Sequence, residues 1–249
     1  MDKKGVVALA LCGFVTACGA ESADEAANPG GDNAATGQVS AAAPRQDAAG
    51  GEFLGRPTSY WIEQISSGAD ATERTRAVAA LASAGPEDEG VTEALIGALA
   101  DPEALVKTGA NRTLAKFGAP IAPALIAALR SNSDAAVRAG VALILGNWSD
   151  DPAVNAALCE ALLDDEEVIV RTAAARGLTV GGSKSAAAVA ALIQALADES
   201  AAVRQFTALA LGRIGTAAAE AIPALEEAEQ DTERMVANAA RSARRQIRQ

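Results

Sequence analysis

Acidic and basic side chains recur together along this sequence, and such pairs could carry out acid–base or anion-binding chemistry. Five basic residues follow one another at steps of 31, 31, 33 and 33 residues: Arg76, Lys107, Arg138, Arg171 and Arg204. Six residues before each of them lie, in the same order, Asp70, Asp101, Asn132, Asp165 and Asp198. A catalytic site needs its groups to converge on one place, whereas these pairs are spread evenly along the chain. The spacing therefore indicates a repeated unit and gives no catalytic pair.

The residue types that carry most enzyme chemistry are scarce. The sequence has no histidine, which removes the commonest acid–base group and a common metal ligand. Cys159 lies in an amphipathic segment without a histidine to activate it, so we interpret it as a small core residue. Residues 181–184, Gly-Gly-Ser-Lys, follow no buried strand and are interpreted as a turn between helices, not a phosphate loop. We predict that the protein is not an enzyme and has no catalytic residue, metal site or cofactor.

Pairs of short helices must position these recurring residues. With Ala237 as a degenerate last copy, the steps continue at 33 residues, and a fixed period of this size is typical of units stacked in a solenoid. Alanine is the most frequent apolar residue, and it favours close-packed helices. Apolar-periodic segments separated by Gly, Asp or Pro predict six helix–turn–helix units, near 57–85, 90–118, 119–149, 151–182, 184–215 and 216–249.

The second helix of each unit carries one apolar stripe. In the clearest unit this helix is predicted from about Ser200 to Arg213, with Asp198 as the turn residue and N-cap. A valine precedes most of the recurring basic residues, and a leucine follows seven positions later: Leu114, Leu145, Leu178 and Leu211. These offsets lie on one side of an α-helix, so we expect the stripe to face the core.

The best-kept copy of the pattern, Val-Arg-x-x-(Ala/Thr)-x-x-x-Leu-Gly at residues 203–212, resembles the compact HEAT-like repeats of bacteria, which also occur in phycobilin lyases. Looser copies begin at Val137 and Val170, and Pro123 and Pro223 match a proline often present in the first helix. The resemblance implies an all-α, right-handed α-solenoid of about six HEAT-like helix pairs over residues 57–249. It also implies a buried or half-buried structural ladder that links successive repeats, here Asp70, Arg76, Asp101, Lys107, Arg138, Asp165, Arg171, Asp198 and Arg204.

The opposite side of the second helices is the predicted partner surface, which in such solenoids usually lines the concave face. It carries cations, amides and leucines but no carboxylate, although residues 52–249 contain 26 acidic and 18 basic side chains. Such a surface suits a peptide with acidic and apolar groups; an ordinary solvated helix face is the alternative. The candidate binding residues are Thr108, Arg112, Lys116, Leu143, Asn147, Thr172, Arg176, Gln205, Leu209 and Arg213.

The N-terminal residues predict export and lipidation. A charged start precedes an apolar run at 5–14, which is too short to span a bilayer, and small residues lead into Cys18. This arrangement resembles the bacterial lipoprotein signal. The resemblance implies a signal peptide over 1–17, an acylated (palmitate-bearing) Cys18 and, because Gly19 follows, export to the periplasmic side of an outer membrane where the cell has one. Residues 18–56 would then be the lipidated cysteine and a flexible linker poor in apolar residues. An ordinary secreted protein cleaved near Ala20 is the alternative.

Charge and architecture together limit the class of function. A net charge of −11 without a basic tail argues against nucleic-acid binding, which depends on neutralising phosphates. We predict an envelope-anchored lipoprotein that serves as a protein–protein interaction scaffold through the concave face, with a protein or peptide partner and a membrane contact through its lipid. The alternatives are a lyase-like or chromophore-handling protein and a structural homo-oligomer.

Overall fold

Residues 52–67 and 70–249 are described by a computed structural model. The predicted signal peptide, Cys18 and the linker up to residue 51 lie outside the described residues. The described chain forms six consecutive pairs of helices, preceded by a short hairpin of strands β1 (Glu52–Phe53) and β2 (Arg56–Pro57). The α-solenoid predicted from the repeats is confirmed.

Each pair consists of a first helix and a second helix joined by a tight turn. The first helices are α1 (Thr58–Ser66), α3 (Val91–Gly97), α5 (Ala122–Ser131), α7 (Pro152–Asp164), α9 (Val189–Ala195) and α11 (Ile222–Ala228). The second helices are α2 (Ala71–Leu81), α4 (Ala104–Phe117), α6 (Ala135–Leu145), α8 (Val168–Gly181), α10 (Ala201–Ile214) and α12 (Arg234–Ile247). Short 3₁₀ segments, such as Gly182–Ala188 and Gly215–Ala221, connect several of them.

Turn residues fix where the second helices begin and end. Ser200, not Asp198, is the N-cap of α10, and the Asp198 carboxylate accepts the Ser200 backbone N–H at 2.7 Å within the preceding turn. The prediction of Asp198 as N-cap was therefore wrong by two residues. At the other end Gly215 adopts a φ of 74°, a left-handed conformation that only glycine reaches without strain, and it stops α10.

The core lies between successive second helices and the first helices that cover them. The predicted stripe is confirmed, because Leu114, Leu145, Leu178 and Leu211 are all fully buried. Small residues let the helices approach closely. A Cβ added to Gly177 in α8 would lie 2.6 Å from the backbone oxygen of Ala142 in α6, so this crossing tolerates glycine alone.

The hairpin covers the N-terminal end of the core. Trp61 of α1 is buried, and its indole N–H donates to the Phe53 carbonyl at 3.1 Å. The rings of Phe53 and Trp61 meet edge to face with centroids 6.1 Å apart. Residues 52–56, assigned to the flexible linker from the sequence, thus include strands that pack against the first repeat.

One segment, Ala201–Ala228, is long and apolar enough to span a bilayer by those two criteria alone. It contains α10 and α11 and is interrupted at Gly215. Leu211 and Leu225 within it are fully buried in the solenoid. Its apolar character is accounted for by the core.

Three arginines join successive repeats in the same geometry. Each pairs with the aspartate 27 residues further on, with Nε–Oδ2 distances of 2.9, 2.8 and 2.7 Å for Arg138–Asp165, Arg171–Asp198 and Arg204–Asp231. The Nη1 group of each arginine also donates to two main-chain carbonyls five and six residues earlier in its own repeat. One guanidinium therefore holds the turn of its own repeat against the turn of the next.

The first arginine of this ladder lies two residues before the one predicted from the sequence. Arg74, not Arg76, pairs with Asp101, with Nε and Oδ2 2.6 Å apart, and Arg76 is exposed. Asp70 is the N-cap of α2 and accepts the Glu73 backbone N–H, so it is not the equivalent of Asp101. Arg76 lies six residues after an acid, as two of the ladder arginines do, but in the first repeat that acid caps the helix.

The ladder has a gap between the second and third repeats, where Lys107 and Asn132 occupy the equivalent positions. Among the described residues Lys107 forms no ion pair and is exposed, and the Asn132 side chain accepts the Asp134 backbone N–H at 2.9 Å instead. The span from Gly118 to Asn132 is two residues shorter than the span from Gly215 to Asp231. Helices α4 and α6 also pack together less closely than any other consecutive second helices of the described chain.

Candidate binding surface on the second helices

Nine of the ten predicted binding residues lie on the solvent-facing side of four second helices. The tenth, Asn147, lies in the 3₁₀ segment Gly146–Trp148 that follows α6, and none of the ten is buried. Within each repeat consecutive members are four residues apart, so they line up along one side, as Thr108, Arg112 and Lys116 do on α4. Leu143 on α6 and Leu209 on α10 are half-buried and rest against the core. We call these ten residues the second-helix stripe. The structure brings them together as four parallel segments on consecutive helices.

The cations of this stripe are placed differently from those of the ladder. The guanidinium of Arg176 on α8 lies over the ring of Phe206 on α10, with Cζ 5.4 Å from the centroid. Lys116 Nζ donates to the Ala82 carbonyl of the preceding repeat at 3.3 Å. In the described part of the chain the side chains of Arg112 and Arg213 make neither an ion pair nor a hydrogen bond, and both residues are exposed. These charges are available to an external anion.

Beside the second-helix stripe, exposed apolar residues continue the same side of the helices one turn further toward their N-termini. Leu105, Ile169 and Met235 are 66%, 56% and 62% exposed, and each lies two residues after the N-cap of its helix. Leu105 is three residues before Thr108, and Ile169 is three residues before Thr172, so they continue the same helical side. The i−3 spacing was visible in the sequence, but only the structure shows that these large apolar side chains are uncovered.

Charge is segregated between the helices and the turns. Helices α4, α6, α8, α10 and α12 contain no aspartate or glutamate, whereas every one of them carries arginine or lysine. The acids concentrate in the turns that precede these helices, as at Asp165, Glu166 and Glu167. The second-helix stripe is therefore a cationic and apolar surface bordered by an acidic edge.

Two other places with reactive or charged groups are the Cys159 thiol and a cleft between α5 and α7. Burial raises the pKa of the Cys159 thiol to about 11, and its Sγ lies 3.5 Å from the Asn155 side-chain oxygen, so at neutral pH it is a protonated thiol. An open cleft of about 530 Å³ lies between α5 and α7. Both arginines that line it are paired with carboxylates of its wall, Arg130 with Glu160 and Arg138 with Asp165. Over residues 52–67 and 70–249 no three cysteine, aspartate or glutamate side chains group as metal ligands.

Comparison with protein families agrees with this geometry. The HEAT-repeat family matches residues 58–146, 122–179 and 155–244, which together cover nearly the whole helical region. The chain belongs to the HEAT-repeat family. Its helix pairs are thus HEAT repeats, whose second helices carry the ladder arginines and nearly all of the second-helix stripe. A comparison with curated proteins gives no match.

Solved structures of similar fold include natural and designed repeat proteins. A chain of the CpcE–CpcF phycocyanin lyase complex from Nostoc sp. PCC7120 aligns with a TM-score of 0.54 at 20% identity, over 63% of this chain and 99% of its own. A designed armadillo repeat protein, solved in complex with the peptide (KR)4, gives 0.50 at 20% identity over 76% and 98%. An engineered protein gives 0.50 at 20% identity over the same shares. These proteins share an overall fold with this chain.

Proposed function

We propose that this HEAT-repeat protein is an envelope-anchored scaffold that binds an acidic protein or peptide through the second-helix stripe. A repeat solenoid is suited to protein interaction because it offers an extended surface built from many similar units. The observation that carries the proposal is the absence of any carboxylate from α4, α6, α8, α10 and α12 in a region with 26 acidic and 18 basic residues. Acidic groups on a partner would meet unopposed cations there.

Exposed apolar area supports the same surface. Exposed apolar area with a polar rim is a feature of protein interfaces, in which methionine and arginine are enriched, whereas single scattered surface leucines need no partner. Here Leu105 and Ile169 lie on the same helical sides as Arg112 and Arg176. The armadillo protein solved with (KR)4 is a solenoid of similar fold that holds a charged peptide. For the present chain the complementary peptide would be acidic.

Anchoring is the second part of the proposal and depends on Cys18. We place the solenoid at the cell envelope on a lipidated Cys18, facing the periplasm where the cell has an outer membrane. Metabolic labelling with palmitate and fractionation of cells should show a labelled, membrane-bound protein. The Cys18→Ala variant should be unlabelled. Release of unlabelled wild-type protein into the soluble fraction would contradict the anchor without affecting the binding surface.

The binding surface is tested by capture from solubilised envelopes with the full chain in detergent as bait. One variant reverses Arg112, Arg176 and Arg213 to Glu, and the matched control reverses Arg130, Lys184 and Arg248, which lie off the stripe. Both variants change the net charge equally. We expect partners of the wild-type protein to be lost with the first variant and kept with the control. Equal loss with both would mean that the surface acts only through net charge.

A further inference from the structure

Two rows of residues cross the second helices, and from α4 to α10 they alternate with a period of two repeats. The first-turn row lies two residues after each N-cap and consists of Leu105, Ala136, Ile169, Ala202 and Met235. The middle row lies seven residues further on and consists of Arg112, Leu143, Arg176, Leu209 and Ser242. On α4 and α8 a large apolar residue of the first-turn row is followed by an arginine of the middle row. An alanine accompanies a leucine on α6 and α10.

This alternation gives the surface a defined spacing. Packed helices have their axes roughly 8–10 Å apart, so the middle row steps by about that distance from Leu143 on α6 to Arg176 on α8 and to Leu209 on α10. Arg112 precedes them on α4, which packs less closely on α6. An extended polyproline II segment rises about 3.1 Å per residue and has three residues per turn. Every third residue therefore points the same way at intervals of roughly 9 Å, which matches the step from one second helix to the next.

Contacts within the solenoid restrict the side chains of the middle row before any partner binds. Arg176 is oriented by the Phe206 ring of the following repeat, which reduces the side-chain freedom that binding would have to restrict. Leu143 and Leu209 are half-buried and packed on the core, so their exposed sides are fixed in position. Ile169, 56% exposed on the same helix as Arg176, leaves apolar area beside the arginine that a partner can cover.

We propose that the stripe binds an extended segment of a partner protein with the pattern acid-x-x-apolar-x-x-acid-x-x-apolar. The acidic side chains would pair with Arg112 and Arg176, and the apolar side chains would contact Leu143 and Leu209. This inference rests on the proposed function and adds the register of the ligand to it. An anionic membrane surface would require cations and apolar groups but no alternation between them, and the acidic edge of the solenoid would oppose it.

The test uses fluorescently labelled peptides of twelve residues and the full chain in detergent, measured by fluorescence anisotropy at low salt. One peptide has Glu at its second and eighth residues and Leu at its fifth and eleventh, with Pro, Ser and Gly elsewhere. The other has the same composition with the two Glu three residues apart and the two Leu three residues apart. We expect the first peptide to bind roughly tenfold more tightly, since one mismatched charge contact and one mismatched apolar contact together are worth about one factor of ten.

A swap variant separates register from composition. Arg176→Leu combined with Leu209→Arg keeps the charge and the residue content of the stripe but breaks the alternation. It should bind the first peptide about tenfold more weakly than wild type does and should lose the preference for it. Arg112→Glu with Arg176→Glu should bind a version of the first peptide in which Lys replaces Glu. Circular dichroism of each variant confirms that the helices are intact.

Several results would overturn the inference. Equal affinity for the two peptides, while envelope capture still depends on the stripe, would refute the register and leave the proposed function standing. Loss of capture dependence together with weak peptide binding would refute both. Stripe-dependent sedimentation with phosphatidylglycerol vesicles, without peptide binding, would assign the surface to a membrane. A dimer that the double charge reversal dissociates, seen by light scattering, would assign it to a second copy of the chain.

Discussion

Replacing Arg171 by alanine is expected to destabilise the solenoid far more than removing an exposed arginine. Arg171 is 9% exposed in its side chain and makes five hydrogen bonds. Two of these go to Asp198, one goes to Glu199, and two go to the carbonyls of Asp165 and Glu166. The substitution removes the link between the fourth and fifth repeats and leaves the Asp198 carboxylate without its cation.

The size of the effect follows from burial. Losing hydrogen bonds to a charged group costs about 1.5–3 kcal/mol, and stranding one member of a buried ion pair costs about 3–5 kcal/mol. Asp198 keeps its bond from the Ser200 N–H and is 11% exposed, so water reaches it once the arginine is gone. Glu199 is 81% exposed and contributes little. We therefore expect a loss of about 2–3 kcal/mol, since solvation of the freed carboxylate offsets part of the larger figure.

The assay is thermal unfolding followed by far-UV circular dichroism. For a domain of this size about 1 kcal/mol corresponds to roughly 2–4 °C, so Tm should fall by about 4–12 °C. Arg130→Ala is the matched control, because Arg130 pairs with Glu160 at 3.0 Å but the two side chains are 50% and 52% exposed. That pair is worth about 0–1 kcal/mol. If the two variants melt at the same temperature, the ladder does not hold the repeats together.

Three further predictions concern pH, packing and local opening. Arg74 and Arg204 donate hydrogen bonds to Asp101 and Asp231 and hold the pKa of each carboxyl below its usual value. The folding stability that these two ion pairs contribute is fully present above the unfolded-state pKa of about 4, and it is lost as the pH falls through the lower pKa of the folded state. Tm should thus be level from about pH 7 to 5 and fall below about 4, less steeply in Asp231→Asn, and an equal slope would contradict this. Gly177→Ala should cost about 1–3 kcal/mol by denaturant unfolding, whereas Gly97→Ala, with no atom within 4 Å of the added Cβ, should not destabilise. Hydrogen exchange should be faster in α4 than in α8, because α4 lacks a ladder bond to α6; equal protection would show that the gap is compensated by packing.

The architecture could be predicted from the sequence because one strong signal recurred. The valine and leucine offsets repeat in every second helix from α4 to α10, and the residues at those offsets are buried in the structure. Glycines near the ends of the helices and acids in the turns marked the boundaries. These features are local, and each copy of the repeat reinforces the others. A solenoid is built from such local units, so its pattern survives in the sequence.

The predictions that were wrong concern positions where one residue type can serve two structural roles. Asp70 and Asp101 both precede a second helix, yet one caps the helix and the other accepts a guanidinium from the repeat before it. The spacing of these aspartates along the sequence does not distinguish a helix cap from a residue that pairs with an arginine of the preceding repeat. The exposure of Leu105 and Ile169 was equally hidden, because an apolar residue in the first turn of an amphipathic helix is ordinarily taken as part of the core.

The distribution of charge explains how an acidic protein comes to have a cationic surface. Carboxylates are favoured at the starts of helices, where they accept free N–H groups, and here the same turns also supply the acceptors for the ladder arginines. Acids that serve both purposes accumulate along one edge and leave the bodies of the second helices to arginine, lysine and apolar residues. At physiological salt charges act over only about 8 Å. A partner in contact with the stripe therefore experiences its cations and not the net charge of −11, while the acidic edge beside it disfavours any anion that cannot also use the apolar rows.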